Sequence, residues 1–193
     1  VKCLLVLSHP LENSLCHYLC TETVDHLIAK GHEVEVLDLY RHQFDPVLTQ
    51  SERQTYYAPE FDKKNVETEI QQLKEAELLV LVFPTWWFGF PAILKGWFDR
   101  VWAPGHAYDH ASDLGAIKPR LEKLKEVKVI TTMGSPWWVD TFVLWQPVKR
   151  ILRIALLGAC AKQCRFSMFT LYRSENVSKA RVDAFLGKIK RRI

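Results

Sequence analysis

Three short segments hold the residues whose types and spacing could do chemistry. The first, Ser8-His9-Pro10-Leu11-Glu12-Asn13-Ser14-Leu15-Cys16, joins an apolar run to a helical pattern. The free amides of a helix opening at Ser14, Leu15 and Cys16 make an anion site, with His9 and the Ser14 hydroxyl placed to add bonds. The same residues also serve as a plain helix cap, with His9 bonding inside the turn. The second, Pro84-Thr85-Trp86-Trp87-Phe88-Gly89-Phe90-Pro91, is a loop of aromatic rings between prolines. Rings supply area for a flat aromatic ligand and backbone N–H groups reach its heteroatoms; a hydrophobic plug or a subunit contact is the competing use. The third, Thr131-Thr132-Met133-Gly134-Ser135-Pro136-Trp137-Trp138, offers two hydroxyls and a glycine that admits close approach, although it also reads as a simple turn. Neither a G-x-G-x-x-G fingerprint nor a Walker lysine is present in the first segment.

The elements that must position these segments follow from periodicity. Cys3 to Leu7 is a short apolar strand covered on both faces. A helical pattern runs from Ser14 to Lys30 with Leu15, Leu19, Val24 or Leu27, and Ile28 as its buried stripe, and Gly31 as its cap. A strand over His32 to Leu39 follows, then an irregular polar stretch from Tyr40 to Asn65 and a helix over Val66 to Ala76. Leu78 to Phe83 is the most apolar strand; a helix starts near Pro91 and runs through Leu94, Trp97, Phe98 and Val101. Gly105 to Leu124 is a polar excursion, Val127 to Thr132 a strand, Phe142 to Leu157 a helix, and Gln163 to Thr170 a last strand; Ser178 caps a final helix. Strands separated by helices of crossover length imply an α/β fold with a doubly wound, five-stranded parallel sheet. Ligands of such sheets bind beyond the carboxyl ends of the strands, where all three segments lie.

Composition sets the remaining bounds. The chain has 193 residues, 48% apolar and 25% charged, which supports one cored domain over residues 1–193 and argues against disorder, a fibre or a disulfide-stapled scaffold. All seven tryptophans fall between Trp86 and Trp145, a clustering that bulk core filling explains poorly. The net charge of +4 equals that of Lys188, Lys190, Arg191 and Arg192, read as a solvated helix end rather than a nucleic-acid stripe. Five cysteines, an odd number, point to free thiols in a reducing compartment, and neither Cys16 with Cys20 nor Cys160 with Cys164 has metal-ligand spacing, so no metal is expected. No leader pattern or membrane-length apolar run is visible, so a soluble cytoplasmic protein without membrane insertion is expected.

The stretch F-P-T-W-W-F-G-F-P-A-I-L-K-G-W-F-D-R-V-W, from Phe83 to Trp102, closely resembles the hallmark segment of the flavodoxin-like NAD(P)H:quinone oxidoreductases. S-H-P-x-x-x-S and T-T-x-G resemble that family's outer two flavin loops, so the likeness spans most of the chain. It implies a flavodoxin-like three-layer sandwich with strand order 2-1-3-4-5. By position, His9, Ser14, Leu15 and Cys16 resemble the flavin-phosphate residues. Pro84, Thr85, Trp86, Trp87 and Phe88 resemble the loop against the isoalloxazine, and Thr131, Thr132, Met133 and Gly134 the loop on its pyrimidine side. Tyr108 resembles a tyrosine that crosses a homodimer to the active site, and His110 sits where another ring is common. Trp137 and Trp138 join them as substrate-wall candidates. Lys95 to Trp102 resembles a helix at the two-fold interface, which would assign Trp97 and Trp102 to subunit contact.

The implied activity is hydride transfer from NAD(P)H through bound flavin to a quinone or another flat acceptor in the same place, the cofactor carrying the chemistry. The chain is shorter than the mammalian members and lacks their C-terminal extension, which favours FMN over FAD. Met133 stands where the mammalian pattern has its first glycine, and Ser135-Pro136-Trp137-Trp138-Val139 holds no aligned tyrosine to stabilise the reduced flavin. A flavin-binding regulatory or ancillary subunit of a transport system is the alternative function. A one-electron carrier is disfavoured by the near-neutral-to-basic charge and the aromatic-rich strand-end segments, since docking to basic redox partners would normally want an acidic surface.

Overall fold

The computed structural model describes residues 1–111, 115 and 117–193. Its centre is a parallel sheet of β1 (Lys2–Leu7), β2 (Glu33–Asp38), β3 (Leu78–Pro84), β6 (Glu126–Met133) and β7 (Arg165–Tyr172), in the order β2-β1-β3-β6-β7. Counting these five strands in chain order, this is the expected 2-1-3-4-5 arrangement. β1 and β3 are buried along nearly their whole lengths, as central parallel strands must be.

Each face of the sheet carries its own apolar cluster. On one face α1 (Leu15–Ala29) and α7 (Lys179–Lys190) pack Leu19, Leu27, Val182 and Phe185 against Leu5, Val80 and Ile130. On the other, α3 (Glu67–Glu75) and α4 (Ala92–Val101) pack with α5 (Pro147–Arg150), a π-helical segment (Ile151–Leu156) and α6 (Leu157–Cys160), which follow one another directly. The polar stretch after β2 contains a short helix, α2 (Gln50–Thr55), opened by a capping box between Thr49 and Glu52. Part of the Gly105–Leu124 excursion is the hairpin β4 (Tyr108–Asp109) and β5 (Lys118–Pro119); residues 112–114 and 116 lie outside the described part.

Several expectations are corrected. The stripe of α1 is Cys16, Leu19, Cys20, Thr23 and Leu27, and Ile28 points outward. Thr23 is tolerated there because its hydroxyl donates to the Leu19 carbonyl at 2.7 Å. The helix expected over Phe142 to Leu157 starts instead at Pro147, after a π-helical turn over Val139–Val143 and two left-handed residues, Trp145 and Gln146. Proline fits the first helical position but clashes with a helix arriving from its N-terminal side. The last strand begins two residues later than expected, after a turn closed by Cys164 N–H on the Ala161 carbonyl at 2.9 Å, and extends to Tyr172.

The largest correction concerns α4. Trp97 and Trp102 are 0% and 4% exposed within the single chain, packed edge to face 6.2 Å apart, so their rings belong to the core and not to a subunit contact. Gly96 shares this helix because a Cβ there would stand 2.2 Å from the Pro46 carbonyl oxygen. On the same helix the buried Arg100 pairs with buried Glu52 at 2.5 Å and donates to the Asp45 carbonyl. Gly96 and Arg100 thus clamp the Tyr40–Thr55 stretch onto the sheet-covering layer.

Candidate functional site

The three segments meet at the carboxyl edge of the sheet, because β1, β3 and β6 are neighbours. Ser8 N–H donates to Val82 O at 3.0 Å, closing the first segment onto β3. Thr85 donates twice to the Thr132 carbonyl, from its amide at 2.8 Å and its hydroxyl at 3.0 Å, closing the second onto the third. Cys16 Sγ lies 3.7 Å from Thr132 Oγ1, and the His9 and Trp86 rings meet edge to face at 6.3 Å. Residues 9, 16, 85, 86 and 132 therefore form one cleft wall.

Each part of that wall has a local cause. Ser14 caps α1, its hydroxyl accepting from His17 N–H at 3.3 Å, as the cap reading expects, and the first-turn amides of Leu15 and Cys16 lack intrahelical acceptors. His9 Nδ1 accepts from Leu11 N–H at 3.1 Å, which puts the ring proton of the neutral form on Nε2. Burial holds the His9 pKa below its ordinary value, favouring that neutral form. Burial also pushes the Cys16 thiol up to about 11, so Cys16 packs rather than reacts.

The aromatic loop is a tight turn. Trp86 and Gly89 exchange backbone hydrogen bonds of 3.3 and 2.9 Å, while Trp87 and Phe88 between them sit at φ of 50° and 57°. Side-chain-bearing residues hold that left-handed region at a cost on the order of 1–2 kcal/mol each. The two turn bonds use neither the Trp87 nor the Phe88 amide, and Trp87 is 100% exposed. Just after the third segment, buried Asp140 accepts from Oη of Tyr172, the β7 residue paired with Met133, at 2.8 Å; burial and this bond push the Tyr172 hydroxyl up to about 12. Trp137 and Trp138 are half-exposed on the same segment.

Among the described residues, buried hydroxyls at the edge remain without partners: Ser8 Oγ, Thr131 Oγ1 and Ser135 Oγ. A planar, heteroatom-rich ligand with a phosphate tail matches this donor set of orphan hydroxyls, turn amides and a helix N-terminus. Pro84 ends β3 and positions the turn without contributing a donor.

Tyr108 and His110 are not brought to this cleft within the chain. Tyr108 Oη donates to Tyr56 Oη at 3.0 Å, and His110 stacks on Tyr57 with centroids 4.5 Å apart. Burial and the Tyr56 bond raise the Tyr108 pKa, keeping its hydroxyl protonated. Tyr108 lines a separate cavity of about 260 Å³ with Tyr56, Phe90, Phe98, Trp102 and Leu156.

A fourth strand exit was missed from sequence. Ser174 N–H donates to Met133 O at 3.1 Å and Arg173 N–H to Ser135 O at 3.3 Å, clipping the loop after β7 to the third segment. The strand-exit rule would have selected it had β7 been extended to Tyr172.

Relatives fit this geometry. The chain is 35% identical over 150 residues to NAD(P)H dehydrogenase [quinone] 1 of Cavia porcellus, covering 69% of this chain and 54% of that one. It is 37% identical over 122 residues to an "Uncharacterized NAD(P)H oxidoreductase" of Escherichia coli, covering 60% of each. The chain thus spans little more than half the length of these curated relatives. Among solved structures, an NAD(P)H:quinone oxidoreductase from Methanothermobacter marburgensis matches with a TM-score of 0.83 at 26% identity, covering 98% of this chain and 92% of that one. The protein Smu.1420 of Streptococcus mutans matches with a TM-score of 0.85 at 29% identity, covering 100% of both. A family model described as "Flavodoxin-like fold" matches residues 1–191, and with the sheet order and the strand-end cleft this places the chain in the flavodoxin-like-fold family.

Proposed function

We propose that residues 1–193 form one flavin-binding domain that oxidises NAD(P)H and reduces a quinone or similar flat acceptor, with FMN held non-covalently. The observation that carries this is the joining of three strand exits through Thr85, Thr132, Cys16, His9 and Trp86. The quinone-reductase and NAD(P)H-oxidoreductase names of the relatives support it. When bound, the flavin supplies the redox chemistry, taking a hydride from NAD(P)H to release NAD(P)⁺ and, with a proton from solvent, passing two electrons and two protons to the quinone.

The chain's own residues bind, orient and exclude water. The Leu15 and Cys16 amides, Ser14 and the Nε2–H of His9 hold the phosphate at the N-terminus of α1. The Trp87 and Phe88 amides and the rings of Trp86, Trp87 and Phe88 hold the ring system, with Thr131, Thr132, Met133 and Gly134 along its pyrimidine side. Trp137 and Trp138 wall the substrate slot.

The acting form is a homodimer in the cytoplasm. Trp87, Trp137, Trp138, Phe142, Trp145, Ile151 and Ile154 are exposed apolar side chains of the kind a second copy of the chain would cover. Tyr108 and His110, engaged with Tyr56 and Tyr57 in their own chain, complete the partner's site. All five cysteines are free, as a reducing compartment maintains them. Purified protein reconstituted with FMN is expected to be yellow, and NADH or NADPH is expected to bleach it far faster than free FMN, with colour restored by menadione. Failure to retain any flavin, or bleaching at the rate of free FMN, refutes the reading; heat release and chromatography separate FMN from FAD.

A further inference from the structure

Resting on the flavin reading, we propose that Glu175 is a residue of the flavin site that lowers the reduction potential of the bound cofactor. The loop carrying it leaves β7 beside β6, at the edge where the other three segments meet. Its backbone is tied to the pyrimidine-side segment by Ser174 N–H on Met133 O and Arg173 N–H on Ser135 O. A Cβ at Gly134 would stand 2.7 Å from Glu175 Oε1 and 3.3 Å from its Cδ. The carboxylate, the far end of an exposed and flexible side chain, therefore lies directly against Gly134.

No cation neutralises it: among the described residues no Lys, Arg or His makes an ion pair with Glu175. Arg181 is turned to the Tyr172 carbonyl, to which its Nη2 donates at 2.9 Å. Uptake of a hydride, two electrons and one proton, leaves one negative charge on the flavin until a second proton arrives from solvent. An unpaired carboxylate beside the pyrimidine end opposes that charge and favours the oxidised form. The segment supplies no compensating acid of its own. Tyr172, paired with Met133 on the neighbouring strand, is engaged with Asp140.

The test is an anaerobic dye-equilibrated titration of the FMN-loaded protein, comparing wild type, Glu175→Gln and Glu33→Gln. Glu33 is an exposed carboxylate at the start of β2, on the opposite edge of the sheet. Glu175→Gln is expected to raise affinity for reduced over oxidised FMN about tenfold, a midpoint shift of about +30 mV for two electrons. The shift is expected to shrink in high salt, while Glu33→Gln leaves the midpoint where it was. An unchanged or lowered midpoint in Glu175→Gln, or an equal rise in Glu33→Gln, overturns the proposal. Wild-type protein that takes up no flavin instead refutes the functional reading on which it rests.

Discussion

The seven tryptophans divide between two regions with opposite fates. Trp97 on α4 and Trp102 just past its end are sealed inside the chain beside a glycine that a backbone crosses and an arginine with a buried partner. Trp86, Trp87, Trp137 and Trp138 at the strand exits, and Trp145 in the turn before Pro147, are half to fully exposed, and Trp87 and Trp145 sit in left-handed backbone. The first region gains stability by burying area; the second spends it, holding rings and donors where the chain itself does not use them. One contiguous hallmark segment, from Phe83 to Trp102, contains both, so its likeness to a family reports scaffold and site together.

If that division is right, the largest stability losses belong to α4. Arg100→Ala strands Glu52 as an uncompensated buried charge and is expected to lose about 3–5 kcal/mol. Trp97→Ala is expected to lose a similar amount, about 3–5 kcal/mol, by cavity formation. Urea denaturation of the apoprotein measures both. Losses under about 1 kcal/mol would dissolve the distinction between the regions. Trp97→Phe sharpens it: the indole N–H is buried without an acceptor, so removing it is expected to offset part of the lost area and leave a net cost of about 1 kcal/mol.

Trp87→Gly probes the other side. Glycine accepts the left-handed conformation at this turn, so the apoprotein is expected to change by less than about 1 kcal/mol. Flavin retention or dimerisation is nonetheless expected to weaken about tenfold, read by FMN titration and by sedimentation. A variant that destabilises the fold strongly while binding FMN normally would make Trp87 a scaffold residue.

How much of this was legible depends on the range over which each feature is set. The parallel five-stranded sheet, helices on both its faces and the three strand exits follow from local periodicity plus the rules of crossover connection, the strand order came from the family resemblance, and all of them stand in the structure. The fate of Trp97 and Trp102 did not follow, because helix periodicity says which face is apolar and not whether the covering partner is the same chain. Glu52 and Arg100 lie 48 residues apart, and no local pattern announces a buried pair at that distance. The break before Pro147 was visible in principle: proline at the first helical position and the poor helix formers of Val139-Asp140-Thr141-Phe142-Val143, three of them β-branched, both oppose the longer helix. Glu175 stayed hidden because the side chain that makes it notable is the one Gly134 lacks.

The smallest expected effect separates the regions by pH. His9 at the cleft and His106 in the scaffold both have pKa values lowered from the ordinary 6.5, in each case chiefly by burial, with Lys74, Lys63 and Arg120 adding to the effect at His106. The unfolded chain then binds protons more readily than the native one just below pH 6.5, so stability falls as pH drops through 6.5 towards the native values and is flat above it. His106→Gln is expected to reduce that slope whether or not FMN is present. His9→Gln is expected to reduce it only in the apoprotein, because a phosphate beside His9 favours the protonated ring and already cancels the native-state penalty. Denaturation midpoints between pH 5.5 and 7.5, with and without FMN, distinguish the two histidines. Equal responses to FMN would move the phosphate away from His9 and leave the N-terminus of α1 to hold it alone.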